Sequence, residues 1–377
     1  MTELLPRPER IDLARADDPR DVVHRTVACL AQGGVVGFST ESVHGLAASA
    51  LQPAAVAEIR RAKGLDPLAP LTLLIKGADE VTDWAPELSE TGRRLARRAW
   101  PGSLTLLFSG PSDRGLAHRL PADAQTLIFP EGTVALQVPA HPFVREVLRL
   151  LRGPLVLTRA LDPEDRAATT ADPIEEIPGL TMILDDGTAR PGQAATVVRV
   201  DGERWSIVRP GVVEADRLAR MAGTIVLFVC TGNTCRSPMA EALCKLLLAR
   251  RIGCGLDQLE DRGYVVLSAG MAAMTGMPAA NNAVEVVRAR GGSLQSHASR
   301  QVTEELIRHA DHIIAMTNDH LNALLDHAPE AAPRTRLLHP EGGDVADPVG
   351  ADRETYQRTA REIEQYLERL IDELGLC

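Results

Sequence analysis

The chain has few aromatic residues, no long apolar run and no disulfide-like pattern of cysteines. Aromatic residues make up 3% of its 377 residues, which leaves few rings on which single-stranded nucleic acid could stack. No stretch approaches the ~20 apolar residues that span a bilayer, and the charged opening MTELLPRPERIDLARADDPR lacks the apolar core of a secretory signal. These absences predict a cytoplasmic protein with no membrane partner.

The cysteines are concentrated in the second half of the chain. Five of the six lie there, and their spacing matches neither a disulfide framework nor paired zinc knuckles. The five are Cys230, Cys235, Cys244, Cys254 and Cys377. We therefore expect thiol chemistry without a metal, with the last three of these cysteines structural or incidental.

Length and charge limit the organisation. A chain of 377 residues exceeds what one hydrophobic core usually supports, so two domains are expected. The net charge of -10 means that any site for a polyanion must be local. A short polar stretch follows Arg209-Pro210-Gly211, which places the predicted domains at residues 1–215 and 222–377.

The hydrophobic pattern differs between the two halves. The first half mixes short apolar strands with helices and Pro/Gly turns, which predicts an α/β domain with a mixed sheet. From Ile225 to Val229 onward, strands alternate regularly with helices, which is typical of an α/β domain with a parallel sheet.

One motif carries specific chemistry. An apolar strand runs into Cys230, and the pattern C-x5-R-S then leads into a helix that Ser237 can cap and Pro238 can start. Backbone N–H groups of such a loop surround an oxyanion at the helix N-terminus, and the Arg236 guanidinium can hold two phosphoryl oxygens. The same field favours a nucleophilic Cys230 thiolate. A structural strand-to-helix turn is the alternative. The predicted phosphate-binding residues are Thr231, Gly232, Asn233, Thr234, Cys235 and Ser237.

This segment resembles the low-molecular-weight protein tyrosine phosphatases, and within them the bacterial protein arginine phosphatases. The resemblance extends through SAG at Ser268, SHASRQVTEEL from Ser296, DHIIAMTNDH from Asp311 and DVADP from Asp344. It implies a phospho-cysteine intermediate on Cys230 and a phosphorylated protein as substrate, with no cofactor.

The resemblance also implies roles for single residues. Asp347, followed by Pro348, would be the general acid and then the base for water. Asn233 and Ser237 would orient the loop, and Cys235 would form a reversible disulfide with Cys230. For Cys235, a small buried thiol is an equally strong alternative. Further assignments are His297 and Arg300 as supports of the loop and Asp344 as a loop-shaping residue.

Thr234 and Val349 bear on the substrate. Phosphotyrosine-directed members usually carry a bulkier aliphatic residue where this chain has Thr234, whose hydroxyl can accept a hydrogen bond from a guanidinium. Val349 stands where an aromatic residue usually packs on the substrate, which disfavours a flat ring more than a guanidinium. We predict phosphoarginine, with phosphotyrosine as the alternative. Arsenate reduction is disfavoured because only Cys377 follows Cys254.

The first half resembles the YrdC-like threonylcarbamoyl-AMP synthases. The similar segments are STESVHGLAA from Ser39, RAKGLDPLAPLTLLI from Arg61, WPGSLTLLF from Trp100, VALQVPAHP from Val134 and RPGVV from Arg209. The resemblance implies an ATP-binding cleft that forms L-threonylcarbamoyladenylate for tRNA modification. Nucleotide or RNA would then be a partner of this domain.

The anion-binding positions of that family are altered here. Leu65, Gln137 and Ala195 replace basic or polar residues, and Arg159-Ala160-Leu161 replaces an S-x-N motif. Leucine cannot reproduce the bidentate grip of arginine on phosphate. The family positions that remain are Thr40, Lys63 and Arg209. We predict a degenerate cleft that has lost or changed its reaction, with a retained synthase as the alternative.

Overall fold

The computed structural model describes residues 7–109, 114–160, 168–187 and 193–376. Two residues named above, Leu161 and Cys377, lie outside these ranges. The chain forms two compact units, residues 1–221 and 222–377. None of the helices within the described ranges is long and apolar enough to cross a bilayer.

The first unit is built on one large mixed sheet. Its strands in the described residues are β1 (Glu9–Asp12), β2 (Val35–Ser39), β3 (His44–Ser49), β4 (Thr72–Leu74), β5 (Leu104–Ser109), β6 (Thr133–Gln137), β7 (Leu155–Arg159), β8 (Leu180–Asp185), β9 (Thr196–Asp201) and β10 (Arg204–Arg209). They lie in the order β1-β8-β2-β3-β7-β4-β6-β5-β9-β10. Pairs such as β2 with β8 are parallel, whereas β3 with β7 is antiparallel. The predicted mixed-sheet α/β class is confirmed.

Helices cover this sheet. Those in the described residues are α1 (Pro19–Ala31), α2 (Pro53–Ala62), α3 (Val81–Trp84), α4 (Glu90–Ala99), α5 (Ala122–Ile128), α6 (Pro142–Leu150) and α7 (Ala215–Ala222). Three of them start with proline, which needs no hydrogen-bond partner for its nitrogen there. Helices α1 and α6 pack against the sheet through one shared core, for example through Leu30, Val147 and Leu148.

Helix α7 corrects the prediction of a short polar stretch between the two domains. Leu218 is fully buried while residues on either side of it are exposed, so a single apolar position per turn holds the helix. The Arg98 guanidinium also donates to the Met221 carbonyl oxygen at 2.6 Å. The polar composition concealed the helix because its apolar stripe is so narrow.

The second unit has a small sheet whose strand pairs are all parallel, as predicted. Its described strands are β11 (Thr224–Cys230), β12 (Tyr264–Gly270), β13 (His312–Ala315) and β14 (Thr335–Leu337), in the order β12-β11-β13-β14. Its described helices are α8 (Arg236–Ile252), α9 (Asn281–Arg288), α10 (Glu304–His309), α11 (Asn318–His327) and α12 (Arg353–Glu373). Parallel pairing brings the carboxyl ends of these strands to one edge of the sheet.

Strand β11 is buried on both faces. Val226 and Phe228 join the core formed with helices α8, α9 and α12, whereas Leu227 and Val229 join the core on the other face, with helices α10 and α11. This alternation follows the two-residue period of a strand. Cys230 continues the first set, so the last residue of the strand is buried where the loop begins.

Gly270 ends strand β12 directly against this loop. A Cβ atom at Gly270 would lie 2.5 Å from the Thr231 carbonyl oxygen and 2.9 Å from the Asn233 nitrogen, both of which are backbone atoms. We predict that Gly270→Ala destabilises the second unit by about 1–3 kcal/mol, the usual cost of overpacking. A urea titration of the full chain, followed by far-UV circular dichroism, measures the loss.

The chain supplies two controls for this prediction. All three tryptophans, Trp84, Trp100 and Trp205, lie in the first unit, so the tryptophan fluorescence transition should not move. In Gly232→Ala the new Cβ would meet only the Thr234 hydroxyl, at 3.7 Å, so its stability should match the wild type. Equal stability of Gly270→Ala and the wild type would contradict the prediction.

Candidate active site

Cys230 lies at the carboxyl end of β11, at the start of the loop that leads into α8. Its Sγ atom is 2.9 Å from the Ser237 Oγ atom and accepts the Asn233 N–H at 3.3 Å. Helix α8 begins at Arg236 with Cys235 as its N-cap, so the prediction that Ser237 caps this helix is wrong. The helix begins two residues earlier than predicted, and the Ser237 hydroxyl lies beside the sulfur. Pro238 falls in the first turn instead of starting the helix.

Asn233 is the structural centre of the loop. It is fully buried and adopts a left-handed conformation with φ of 54°, which asparagine tolerates better than most residues. Its side-chain oxygen accepts the Arg300 main-chain N–H at 2.9 Å, and its carbonyl oxygen is 2.8 Å from the His297 Nε2 atom. Arg300 thus supports the loop through its backbone.

The hydrogen bonds around Asn233 have a defined direction. Its Nδ2 group donates both hydrogens, to Ser237 Oγ at 3.0 Å and to Ser268 Oγ at 2.9 Å. Ser268 in turn donates to the Glu241 carboxylate at 2.6 Å. The Ser237 hydroxyl therefore directs its own hydrogen to Cys230 Sγ at 2.9 Å or to the Ala269 carbonyl oxygen at 3.3 Å.

Arg236 is buried at the end of the loop, beside the predicted acid. Its two terminal nitrogens donate to the Val345 carbonyl oxygen at 3.2 Å and to the Asp347 carboxylate at 2.6 Å. The Asp347 side chain remains 40% exposed, whereas that of Arg236 is 6% exposed. The Arg236 guanidinium is therefore held by two acceptors, and the partly exposed Asp347 carboxylate also accepts the Val349 main-chain N–H at 3.2 Å.

The neighbouring Asp344 has a different environment. It accepts the Asn318 main-chain N–H at 2.7 Å and the Asn318 side-chain Nδ2 group at 2.9 Å. These hydrogen bonds lower the pKa of Asp344. A carboxylate engaged in this way holds the loop to the start of α11.

Thr234 and Cys235 form the last part of the loop. The Thr234 carbonyl oxygen accepts the Ala280 N–H at 2.9 Å, and its half-buried hydroxyl is 3.7 Å from the Cys235 Sγ atom. The Cys235 sulfur is 3.1 Å from the Tyr356 hydroxyl, and burial followed by this contact raises the pKa of Tyr356. Cys230 and Cys235 are both free thiols in the structure. The Val349 side chain, two residues after Asp347, is 67% exposed, so it does not by itself provide a surface against which a substrate could pack.

Glu241, Tyr356 and His320 belong to this site although the sequence did not single them out. Tyr356 contacts the loop residue Cys235, and His320 contacts the loop residue Thr231. Glu241 reaches the loop indirectly, because it accepts from Ser268 of β12, which in turn accepts from Asn233. Only His320 lay within a quoted motif, DHIIAMTNDH, which gave a signal without a role.

The first unit holds the predicted cleft residues in contrasting environments. Thr40 is buried and donates to the Val43 carbonyl oxygen at 2.6 Å, while Lys63 caps the C-terminus of α2. Arg209 donates to the Ala195 carbonyl oxygen at 3.3 Å, and its Nε atom is buried with no hydrogen-bond partner among the described residues. Burial, followed by the charge of Arg159, lowers the pKa of Arg209.

Gln137, which stands where an arginine was expected, has a complete set of partners. Its side-chain oxygen accepts from Thr105 at 3.0 Å, and its amide nitrogen donates to Glu41 at 2.9 Å and to the Gly102 carbonyl oxygen at 3.1 Å. The amide therefore needs no ligand to satisfy it. Glu41, which completes this cluster, was not among the predicted site residues.

Comparison with known proteins identifies the family of the second unit. Residues 225–376 match the family model described as low molecular weight phosphotyrosine protein phosphatase. A protein-arginine-phosphatase of Geobacillus stearothermophilus is 37% identical over 153 residues, which are 40% of this chain and 95% of that protein. The chain belongs to this phosphatase family through its second unit. It is accordingly an enzyme of that family, and the recognised phosphatase resemblance is confirmed.

The first unit has relatives of its own. Residues 28–211 match the YrdC-type family model described as telomere recombination. A threonylcarbamoyl-AMP synthase of Pyrococcus abyssi is 30% identical over 198 residues, which are 52% of this chain and 55% of that protein. A putative threonylcarbamoyl-AMP synthase of Mycobacterium tuberculosis H37Rv is 27% identical over 227 residues, 57% of this chain and 95% of that protein. The first unit is therefore similar to proteins of the YrdC type, and it is called the YrdC-type unit below.

Proposed function

We propose that the phosphatase unit hydrolyses phosphorylated proteins through a phospho-cysteine intermediate on Cys230, and that its substrate is phosphoarginine. The observation that carries the mechanism is the convergence of a buried sulfur, a buried guanidinium and a half-exposed carboxylate around one loop. Nucleophile, anion holder and proton donor are the three groups that such a displacement requires.

In the first step the Cys230 sulfur attacks phosphorus. The S–P bond forms, the bond from phosphorus to the leaving atom breaks, and Asp347 gives its proton to that atom, a guanidine nitrogen for phosphoarginine. The phosphoryl oxygens bind Arg236 and the loop N–H groups. Because Asp347 occupies one Arg236 nitrogen in the structure, its carboxylate must turn away as the phosphoryl group arrives.

In the second step water attacks phosphorus and Asp347 accepts its proton. The S–P bond breaks, and the electron pair returns to sulfur. The Ser237 hydroxyl and the Asn233 N–H, at 2.9 and 3.3 Å from Sγ, stabilise the departing thiolate. The directed hydrogen bonds from Asn233 and Ser268 hold Ser237 ready for this role.

Thr234 supports phosphoarginine as the substrate. Its hydroxyl is half-buried and has only a long contact, 3.7 Å to the Cys235 sulfur, so it can accept a hydrogen bond from a guanidinium. Val349 offers no aromatic face to a tyrosyl ring. Two relatives at 37% identity, from Geobacillus stearothermophilus and Bacillus subtilis, are named protein-arginine-phosphatases.

Phosphotyrosine is the alternative substrate, since a relative named low molecular weight protein-tyrosine-phosphatase Etp, from Escherichia coli, is 32% identical over 142 residues. Arsenate reduction has less support. It needs further cysteines to resolve the adduct, and Cys244 is buried on α8 within the core.

For the YrdC-type unit we propose a degenerate cleft that binds nucleotide without the synthase reaction. Gln137 satisfies its own neighbours, and the position of Leu65 has no charge with which to hold phosphate. Arg209 and the nearby Arg159 keep positive charge in the unit, and the buried Arg209 Nε atom still has a hydrogen to donate. ATP or RNA phosphate has the chemistry to engage this pair.

The first prediction concerns the substrate. The full chain should hydrolyse phosphoarginine peptides with a higher kcat/KM than phosphotyrosine peptides, because the pocket has a polar acceptor and lacks a stacking wall. Parallel steady-state assays measure the ratio, with Cys230→Ser as the inactive control. Preference for phosphotyrosine would overturn the substrate, and absence of Cys230-dependent turnover of either peptide would overturn the phosphatase proposal.

Thr234→Ile tests the determinant of this preference. Isoleucine removes the hydroxyl and narrows the pocket, so kcat/KM for phosphoarginine should fall at least about tenfold, as expected when a polar partner is left unpaired. The value for phosphotyrosine should hold or rise. Equal losses on both peptides would show that Thr234 supports the loop without selecting the substrate.

A further prediction concerns the proton donor. Asp347→Asn should lower kcat/KM about 100-fold for substrates with a poor leaving group, and much less for para-nitrophenyl phosphate, whose leaving group needs little protonation. Asp344→Asn is the matched control, since its side-chain oxygen can still accept from Asn318, and it should retain activity within about threefold. Equal losses in the two variants would refute the assignment.

The YrdC-type unit should bind ATP. ATP at ten times its Kd should stabilise this unit by roughly 1.4 kcal/mol, seen as a higher melting temperature by tryptophan fluorescence, and Arg209→Gln should remove the shift. Release of pyrophosphate from ATP with threonine and bicarbonate would restore the synthase alternative. No shift with ATP or with pyrophosphate would indicate a scaffold without ligand.

A further inference from the structure

His320 lies beside the phosphate loop, yet the mechanism above gives it no role. It occupies the first turn of α11, whose N-cap is Thr317. The Thr317 hydroxyl oxygen accepts the His320 main-chain N–H at 3.3 Å. The Nδ1 atom of the His320 ring lies within hydrogen-bonding distance, 2.8 Å, of the same oxygen. This reciprocal arrangement resembles a capping box and fixes the orientation of a ring that is only 7% exposed.

The other ring nitrogen reaches the loop. His320 Nε2 is 2.8 Å from the hydroxyl of Thr231, the residue that follows Cys230. The Thr231 carbonyl oxygen also accepts the Ala272 N–H at 2.9 Å. Because β13 pairs in parallel with β11, the cap of α11 and the start of the loop lie at the same edge of the sheet. Thr231 is therefore held on both sides.

The charges around His320 come from three elements. Arg236 approaches from α8, Asp319 from α11 itself, and Asp344 and Asp347 from the loop of the proposed acid. Burial and then the Arg236 charge lower the pKa of His320, against the opposing effect of the three carboxylates. The ring is thus neutral at pH 7, and it holds Thr231 without placing a second cation beside Arg236.

We propose that neutral His320 is a positioning residue of the phosphatase reaction, which acts through the Thr231 hydroxyl to hold the start of the phosphate loop in register with Arg236. This inference rests on the phosphatase function proposed above. It differs from a purely structural role for a buried histidine because it specifies one partner, Thr231, and one protonation state.

Four variants of the full chain test the partner: His320→Asn, His320→Gln, Thr231→Val and the double variant His320→Asn/Thr231→Val. Asparagine can still bond to Thr317 but ends short of Thr231, whereas glutamine can reach Thr231. With para-nitrophenyl phosphate, His320→Asn and Thr231→Val should each lower kcat/KM about fivefold, as expected for one hydrogen bond. The double variant should be no worse than the poorer single one, and His320→Gln should stay within about twofold of the wild type.

The pH dependence of kcat/KM tests the protonation state of His320. Because the pKa of His320 lies below its usual value, the imidazolium forms only in acid, where it repels Arg236. The ratio of wild-type to His320→Gln kcat/KM should therefore be constant above pH 7 and should fall as the pH is lowered towards 5. Ionisation of the substrate cancels in this ratio.

The outcomes separate the inference from the function on which it rests. Multiplied losses in the double variant, or a ratio that does not change with pH, would overturn the role of His320 while Cys230→Ser still abolished turnover. Wild-type protein that turned over no phosphorylated substrate would overturn the phosphatase function itself. Should His320→Asn fail to fold by circular dichroism, wild-type-like kcat/KM in Thr231→Val would still refute the proposal.

Discussion

The second unit depends on one constraint: the backbone must turn from the buried strand that ends at Cys230 into the buried helix that starts at Arg236. Asn233 solves this problem with a left-handed backbone at φ of 54° and a side chain that is fully buried. Its side chain makes three hydrogen bonds, to Ser237, Ser268 and the Arg300 backbone. At about 1 kcal/mol each, they offset the cost of roughly 1–2 kcal/mol for a left-handed residue.

The same residue organises the chemistry of the sulfur. Both amide hydrogens of Asn233 are committed to serine oxygens, and the Ser268 hydrogen is committed to Glu241. The remaining serine hydrogen, on Ser237, is available to Cys230 Sγ at 2.9 Å or to the Ala269 carbonyl oxygen at 3.3 Å. A network with a carboxylate at one end and a sulfur at the other is polarised before any substrate arrives, so little reorganisation is needed when charge develops.

Much of this arrangement could be predicted from the sequence, because the nucleophile and the cradle lie within eight consecutive residues. The strand before Cys230, the loop, and the alternation of strands with helices are local patterns, and both fold classes were correct. The contacts that tune the site were not predictable. Ser268, His320 and Tyr356 contact loop residues that are 35, 89 and 121 positions away in the sequence. Sheet register and helix packing bring them together, and no local pattern records either.

Two local predictions failed for physical reasons that the structure makes plain. Ser237 is a residue type that commonly caps helices, but the helix begins two residues earlier and the Ser237 hydroxyl lies 2.9 Å from the Cys230 sulfur. The stretch before β11 is polar in composition, but it forms α7, in which Leu218 and Ala222 are buried and Met221 accepts a hydrogen bond from Arg98. In both places the tertiary surroundings overrode the residue type.

The arginines of the two units have different surroundings. In the phosphatase unit, Arg236 is held by protein acceptors on two nitrogens, and one of those acceptors, Asp347, is exposed enough to yield to a substrate. In the YrdC-type unit, the Gln137 side chain forms hydrogen bonds with Thr105 and Glu41. The buried Arg209 Nε atom, in contrast, has no hydrogen-bond partner among the described residues. A buried donor without a partner costs free energy, and this donor is the group that the proposed nucleotide-binding cleft would use for phosphate.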